Sequence, residues 1–260
     1  MANSTQNSAL RETKGLTPVQ QFLGSGIKLF KIGWLSFWLF FATILVAFPI
    51  LATSFLPSSG NFAFNLARVW AWIILHISGV RLIITGTEKL DKNRSYIIIS
   101  NHQSHFDGPA IAASLGIQFR WIAKKELLRI PVFGHALKAS GNIFIDRRDR
   151  ESALKNIREG IRQLPQGVGV MVFAEGTRSE NNMVGPFKKG GFLAAIQTGF
   201  PILPLTISGS ARALPKGGIV FHPGTIEIRI GDIIETTGYK LDQLDELTEK
   251  TRNIIISNCH

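Results

Sequence analysis

The chain has 260 residues, of which 45% are hydrophobic and 18% charged, and its formal net charge is +11. A composition that is both basic and apolar indicates a protein that meets an anionic membrane surface or phosphorylated substrates. A nucleic-acid binder would carry its cations in one stripe or arm, whereas here they are scattered. Because Cys259 is the single cysteine, an intrachain disulfide is excluded, which fits a reducing compartment.

The N-terminal part of the chain predicts a membrane anchor. Residues 1–20 are polar and mixed, and we expect them to be flexible. Residues 34–56 form a run of 23 residues without a charge, which is long enough to cross a hydrocarbon core and too long and too late for a signal peptide. A second apolar stretch, 62–80, contains Arg68 and is better suited to an interfacial or re-entrant helix. We therefore predict a membrane-anchoring helical hairpin over 21–80.

The distribution of cations predicts how this hairpin is oriented. Four cations precede the first apolar segment, and the 57–61 turn carries no charge. The positive-inside bias then keeps the N-terminus in the cytoplasm. If the second apolar segment leads the chain back to the cytoplasmic side, the remainder of the chain is cytoplasmic too. A single span would instead place the remainder outside.

From residue 80 onward, predicted strands alternate with predicted helices. The strands are expected at 81–85, 95–100, 117–123, 141–146, 168–174, 201–207 and 225–230. The helices are expected at 109–115, 132–139, 151–164, 188–198 and 242–256. This alternation predicts an α/β fold, a layered αβα domain with a mixed sheet, over residues 81–260.

The segment "NHQSHFDGP" (101–109) places ionisable side chains where a strand ends and a helix begins. Across such a turn the carboxylate of Asp107 can fold back toward the imidazole of His102, fix its tautomer and leave the other ring nitrogen to take a proton. The chain has no G-x-S-x-G elbow, so the proton would come from a substrate hydroxyl. Alternatively, Asp107 caps the helix and His102 is an ordinary loop residue.

A metal site is the other interpretation of this segment. His102, His105 and Asp107 could supply ligands, but a catalytic zinc site needs a further ligand and a partner motif, and the other histidines are isolated. We expect no metal.

The segment "VMVFAEGTRSE" (170–180) leads a second strand into a loop that contains Glu175, Gly176, Thr177 and Arg178. Glycine lets backbone N–H groups approach an anion closely, and the planar fork of arginine suits a phosphate. The glutamate could hold the arginine or accept from a hydroxyl. An ordinary surface turn with a salt bridge is the alternative.

Two further predicted strands end in cations, at Lys124 and at Arg147. Ligands of α/β sheets bind at the carboxyl ends of the strands. Four strand ends that carry His/Asp, Lys, Arg and Glu/Arg groups therefore indicate one binding site along that edge of the sheet.

Four segments in order, "NHQSHFD", "GNIFIDR", "FAEGTRS" and "PILP", resemble the four blocks of the glycerolipid acyltransferases of the His-x4-Asp type. Bacterial 1-acyl-sn-glycerol-3-phosphate acyltransferases are the most similar member type, and the match spans about residues 80–210. The resemblance implies His102 as general base and Asp107 as the residue that orients it. It also implies a set of residues around the acceptor phosphate: Lys124, Arg147, Glu175, Gly176, Thr177 and Arg178.

The resemblance further implies the reaction and its participants. An acyl group would pass directly from a thioester, acyl-acyl carrier protein or acyl-coenzyme A, to the sn-2 hydroxyl of lysophosphatidic acid, forming phosphatidic acid without an acyl-enzyme. It implies no cofactor, no metal and no nucleic acid, with membrane lipids as partners at the cytoplasmic face of a bacterial inner membrane. Gly108 stands where several relatives carry a bulkier residue, which leaves the choice of acyl chain and acceptor open. The alternatives are another lysolipid acceptor, or a membrane-anchored phospholipid-binding module that would tolerate loss of His102.

Overall fold

The computed structural model describes residues 18–54, 59–146, 148–179 and 183–259. The predicted flexible segment 1–20 falls almost wholly outside the described residues. The described helices are α1 (Pro18–Thr53), α2 (Ser59–Ile77), α3 (Asp107–Ser114), α4 (Phe133–Ala139), α5 (Arg150–Arg162), α6 (Gly190–Thr198), α7 (Ser210–Ala213) and α8 (Leu244–Ser257). The described strands are β1 (Val80–Thr85), β2 (Ile97–Ser100), β3 (Gln118–Lys124), β4 (Ile143–Ile145), β5 (Val168–Phe173), β6 (Ile202–Ser208) and β7 (Gly224–Ile230).

In the described part of the chain, seven strands form one sheet in the order β1-β7-β6-β2-β5-β3-β4. All neighbouring strands are parallel except β6 and β7, which are antiparallel. Central strand β2 is buried on both faces, with Ile98 in one hydrophobic cluster and Ile97 and Ile99 in the other. Continuous apolar strands of this kind are typical of sheets covered by helices on both sides. The predicted layered α/β fold with a mixed sheet is confirmed.

The sheet direction decides where the polar motifs meet. Strands β2, β3, β4, β5 and β6 run parallel to one another, so their carboxyl ends lie at the same edge of the sheet. Ser100, the last residue of β2, pairs with Phe173, the last residue of β5. The His102 and Glu175 segments therefore leave adjacent strands side by side.

Helix α1 is the helix that the first apolar run predicted, although it begins sixteen residues earlier, at Pro18. Within the described residues, its Gly24–Thr53 portion is the one helix long and apolar enough to cross a membrane. One side of it is strongly exposed, for example at Phe40 (71%) and Phe48 (75%). The opposite side is buried at Val46 and Ile50 against α2 and α4.

Helix α2 corresponds to the second apolar stretch, and it lies against the sheet. Its buried side chains, which include Phe64, Ile74 and Leu75, belong to the same hydrophobic cluster as Ile98 of β2. Helix α2 thus contributes to the core of the sheet domain and also contacts α1. The domain boundary that we place at residue 80 stays a prediction.

Candidate active site

The first predicted motif forms a compact turn between β2 and α3. Nδ1 of His102 lies 2.7 Å from Oδ2 of Asp107. The same oxygen accepts the backbone N–H groups of Gln103 at 2.6 Å and Ser104 at 2.8 Å. The Asp107 side chain is fully buried, whereas that of His102 is 21% exposed. An Nδ1–H that donates to the carboxylate leaves Nε2 as the ring nitrogen that can accept a proton.

One alternative interpretation was that Asp107 caps helix α3, but the structure does not show such a cap. The N-cap of α3 is Phe106, which makes no side-chain capping bond, and Asp107 lies in the first turn. Its carboxylate turns back to donors that precede the helix. The contact between the two side chains that the spacing predicted is therefore present, while the catalytic roles stay predictions.

The plane of the His102 ring is set by an aromatic residue that sequence reasoning missed. The ring stacks on Phe173 with centroids 3.9 Å apart and planes 12° apart, and Phe173 stacks in turn on Trp121 at 5.7 Å. The only signal in the sequence is that Phe173 ends the strand before the second motif. The His102 ring is thus fixed by Asp107 at its edge and by Phe173 at its face.

Glu175 ties the second motif to the first. Its Oε1 accepts the backbone N–H of His102 at 2.8 Å, and its Oε2 accepts the Ser179 hydroxyl at 2.8 Å and the Gly185 N–H at 3.0 Å. The residue is 9% exposed. Since these three donors occupy both carboxylate oxygens, the geometry favours a positioning role over the substrate contact that we predicted.

The loop after Glu175 carries the positive charge of the site. Gly176 has a φ of +74°, and a Cβ atom added there would lie 2.7 Å from Nζ of Lys188. The Gly176 N–H donates to the carbonyl of Phe173, so glycine here makes room for a lysine rather than offering its N–H to an anion. Lys188 was missed by the sequence analysis.

Arg178 lies close to the histidine motif. Its Nη1 is buried and has no hydrogen-bond partner among the described residues. Partial burial, followed by the positive charge of Arg178, lowers the pKa of His105 from its ordinary value of 6.5. The Lys216 ammonium donates to the Arg178 carbonyl at 2.8 Å. A cationic group thus stands beside the His102–Asp107 pair.

The remaining predicted site residues are less closely joined. Thr177 is exposed on the same loop. Lys124 is exposed at the end of β3, the strand next to β5, and the described contacts do not join it to His102 or Arg178. Arg147 lies outside the described residues. Over the part of the chain that the structure describes, no group of three or more metal-ligating side chains is present.

Comparison with known proteins identifies the class. A family model described as Acyltransferase matches residues 81–208. The chain is 30% identical over 247 residues to the 1-acyl-sn-glycerol-3-phosphate acyltransferase alpha of Homo sapiens, covering 93% of this chain and 85% of that protein. It is 31% identical over 199 residues to the 1-acyl-sn-glycerol-3-phosphate acyltransferase of Pseudomonas aeruginosa, covering 75% and 76%.

A solved structure agrees with these relatives. The crystal structure of the 1-acyl-sn-glycerophosphate (LPA) acyltransferase PlsC from Thermotoga maritima superposes with a TM-score of 0.76 at 27% identity, covering 88% of this chain and 95% of that one. The protein is an acyltransferase. It belongs to the acyltransferase family that includes the 1-acyl-sn-glycerol-3-phosphate acyltransferases, and the resemblance predicted from the four motifs is confirmed.

Proposed function

We propose that this acyltransferase moves an acyl group from a thioester to the sn-2 hydroxyl of 1-acyl-sn-glycerol-3-phosphate and so forms phosphatidic acid. The observation that carries the proposal is the 2.7 Å contact between His102 and Asp107 beside the unpaired, buried Nη1 of Arg178. A base next to a phosphate-binding cation suits an acceptor that carries both a hydroxyl and a phosphate. The names of the relatives support the same acceptor.

The proposed reaction uses His102 as base and then as acid. Nε2 removes the proton of the sn-2 hydroxyl while Asp107 stabilises the imidazolium through Nδ1–H. The oxygen attacks the thioester carbonyl, a C–O bond forms, and the tetrahedral intermediate collapses with loss of the C–S bond. The departing thiolate takes the proton back from Nε2, so the enzyme ends in its starting state.

Direct transfer is supported by the condition of the nearby nucleophiles. The Ser104 hydroxyl is buried and donates to the carbonyl of Leu214 at 2.7 Å, so it is not free to attack a thioester. Burial raises the pKa of the Cys259 thiol, which disfavours the reactive thiolate. Neither Ser104 nor Cys259 is therefore a suitable carrier for an acyl-enzyme.

The acceptor phosphate is proposed to lie against the guanidinium of Arg178 and the ammonium of Lys188. Arginine presents two parallel donors to a phosphate, while lysine adds a point charge. Thr177, Lys124 and Arg147 are proposed as further contacts on the same edge of the sheet. No cofactor is required, because the thioester donor, acyl-acyl carrier protein or acyl-coenzyme A, brings the activated acyl group.

Helix α1 is proposed to lie in one leaflet rather than cross the bilayer. Toward the middle of α1, the Lys31 ammonium donates to the Phe221 carbonyl at 3.4 Å and the Trp34 indole N–H donates to the Ile77 carbonyl at 3.2 Å. Near its end, Ile50 is buried against neighbouring helices. These contacts extend over about 28 Å of helix, close to the thickness of a hydrocarbon core. If α1 crossed the bilayer, the parts of the sheet domain that it contacts would therefore have to enter the hydrocarbon core. The exposed side of α1 would then enter the cytoplasmic leaflet of a bacterial inner membrane and leave the sheet domain in the cytoplasm.

A panel of acceptors tests the proposal. The purified protein in detergent is given acyl-coenzyme A or acyl-acyl carrier protein with lysophosphatidic acid, lysophosphatidylcholine or monoacylglycerol, and the diacyl product is measured by mass spectrometry. We expect phosphatidic acid to form fastest, because the other two acceptors lack the phosphate monoester that Arg178 would hold. Faster acylation of lysophosphatidylcholine would assign another lysolipid acceptor, and binding of lysolipid without any product would make the protein a non-catalytic binding module.

A further inference from the structure

Arg120 is a buried cation without a described acidic partner. It lies on β3, and the residue is 2% exposed. Its Nη1 donates to the Gln118 side-chain carbonyl at 3.1 Å and to the Phe119 carbonyl at 2.9 Å, and its Nη2 donates to the Asn61 side-chain carbonyl. None of the ion pairs among the described residues includes it. All of its hydrogen-bond partners among the described residues are therefore neutral.

The electrostatic state of Arg120 reflects this isolation. Burial alone lowers its pKa to about 10, and no carboxylate offsets the effect. A buried charge without an opposite charge is destabilising, even where neutral groups satisfy its hydrogen bonds. The face of Phe64, 5.3 Å from the guanidinium, supplies only a weak counterpart.

The guanidinium borders a cavity of about 490 Å³. Much of the polar lining comes from amide side chains, namely Asn61, Asn142, Asn156 and Gln163. Glu159 is the acidic residue of the lining, but it is exposed and contributes nothing to the pKa of Arg120. A water molecule takes up about 30 Å³, so a cavity of this volume has room for several molecules of that size and for a phosphate group. The cavity can hold an anion together with its hydrating water.

The first turn of α2 lines the same cavity. Gly60 and Asn61 line the cavity, and a Cβ atom added to Gly60 would lie 3.5 Å from Nη2 of Arg120. The first N–H groups of a helix lack intrahelical partners, and the helix dipole adds positive potential there. The start of a 19-residue helix and a buried guanidinium thus direct positive charge into one cavity.

We propose that this cavity is a second, non-catalytic site that binds a phosphate group. Arg120 precedes Lys124 by four residues on β3, so it lies about 13 Å along the strand from the catalytic edge of the sheet. The phosphate belongs either to a phospholipid headgroup or to a soluble compound. A phospholipid headgroup suits the position of the cavity. The start of α2 lines the cavity, and it lies only six residues after Thr53, where the proposed membrane helix α1 ends.

Thermal unfolding of the detergent-solubilised protein tests the site. Inorganic phosphate is raised against chloride at constant ionic strength, and short-chain phosphatidylglycerol is tested separately. Arg120→Met removes the charge at similar length, and Lys155→Gln removes an exposed cation on α5 outside the cavity as the matched control. Phosphate bound at Arg178, and the general stabilising effect of phosphate on proteins, act on all variants equally. The difference between variants therefore reports on Arg120.

For the parent and Lys155→Gln we expect the rise in Tm to exceed that of Arg120→Met by roughly 5–10 °C at a hundredfold excess of ligand over Kd, and this difference should grow with the logarithm of the ligand concentration. A difference with inorganic phosphate identifies a soluble source, and a difference with phosphatidylglycerol alone identifies a headgroup. An equal rise in all three proteins with both ligands would overturn the proposal. If Arg120→Met does not fold, Asn156→Phe fills the cavity and leaves the bonds of Arg120 in place, and its rise in Tm must fall below that of the parent by the same amount.

Discussion

Glu175 holds His102 by its backbone: Oε1 accepts the His102 N–H at 2.8 Å, while the His102 carbonyl accepts the N–H of Ser179 at 2.7 Å. Both polar groups of the His102 backbone are thus fixed by the second motif. Because Asp107 and Phe173 fix the ring as well, the proposed base is held from three directions. Catalytic groups that are fixed before the substrate arrives do not have to be ordered during the reaction.

Glu175→Gln is expected to lower kcat with little change in the KM for the acceptor. The amide replaces one of the two accepting oxygens with a donor that faces another donor, so the backbone of His102 shifts. A displacement of this kind lowers the rate by ~10²-fold. Steady-state kinetics separates the two parameters, and the exposed Glu227→Gln is the control. A raised KM with unchanged kcat would show that Glu175 contacts the acceptor instead.

Arg178→Lys is expected to raise the KM for lysophosphatidic acid more than it changes the KM for the thioester. Lysine keeps the charge but loses the two parallel donors, so binding is weakened rather than lost. The comparison is made with monoacylglycerol, which has no phosphate, as a second acceptor. If the variant impairs both acceptors to the same extent, Arg178 does not bind the phosphate.

The His105 imidazole makes part of the stability depend on pH. Its pKa is lowered in the folded state, so the unfolded chain binds the proton more tightly. Stability therefore falls as the pH decreases through the ordinary pKa of 6.5 toward the lower folded-state value. We expect Tm to fall more steeply between about pH 7.5 and 5 in the parent than in His105→Gln. Parallel Tm curves for the two proteins would contradict this, because carboxylates elsewhere act on both equally.

The exposed side of α1 is expected to hold the protein on the membrane. Phe40→Asp and Phe48→Asp place charges on that side, where both rings are largely exposed and the packing against α2 is left unchanged. Each charge is opposed by up to about 3 kcal/mol at the centre of a bilayer, and by less near the interface. Flotation with phospholipid vesicles should show the double variant in the unbound fraction. Lys155→Asp, which reverses an exposed charge on the sheet domain, should still float. Flotation of the double variant like the parent would contradict the leaflet model.

The sequence predicts the sheet well where a strand is buried on both faces. Strand β2 shows as an unbroken apolar run for that reason. Strand β4 is shorter than the predicted 141–146, because the side chain of Asn142 accepts the Trp121 N–H at 2.9 Å where a backbone carbonyl was expected. Helix α1 begins well before its apolar run, since hydrophobicity locates the buried or membrane-facing part of a helix and not its ends.

The site was predictable only within single segments. The spacing of His102 and Asp107 predicted their contact because the turn that joins them is local. The stacking of Phe173 on His102 depends on the register between β2 and β5, which lie about seventy residues apart in the sequence. The same holds for Lys188 over Gly176 and for Gly185 on Glu175, which the loop after the second motif brings together. Such contacts follow from tertiary structure rather than from any motif.

The measurement that tests the account most directly is the rate of acyl transfer by His102→Ala under saturating thioester and lysophosphatidic acid. A positioned general base contributes ~10²–10⁴-fold, so we expect a loss in kcat of that size. The variant should keep its Tm and its binding of lysophosphatidic acid, since the phosphate is held by Arg178 and Lys188. A loss in kcat of less than about threefold, well below that range, would show that His102 is not the base.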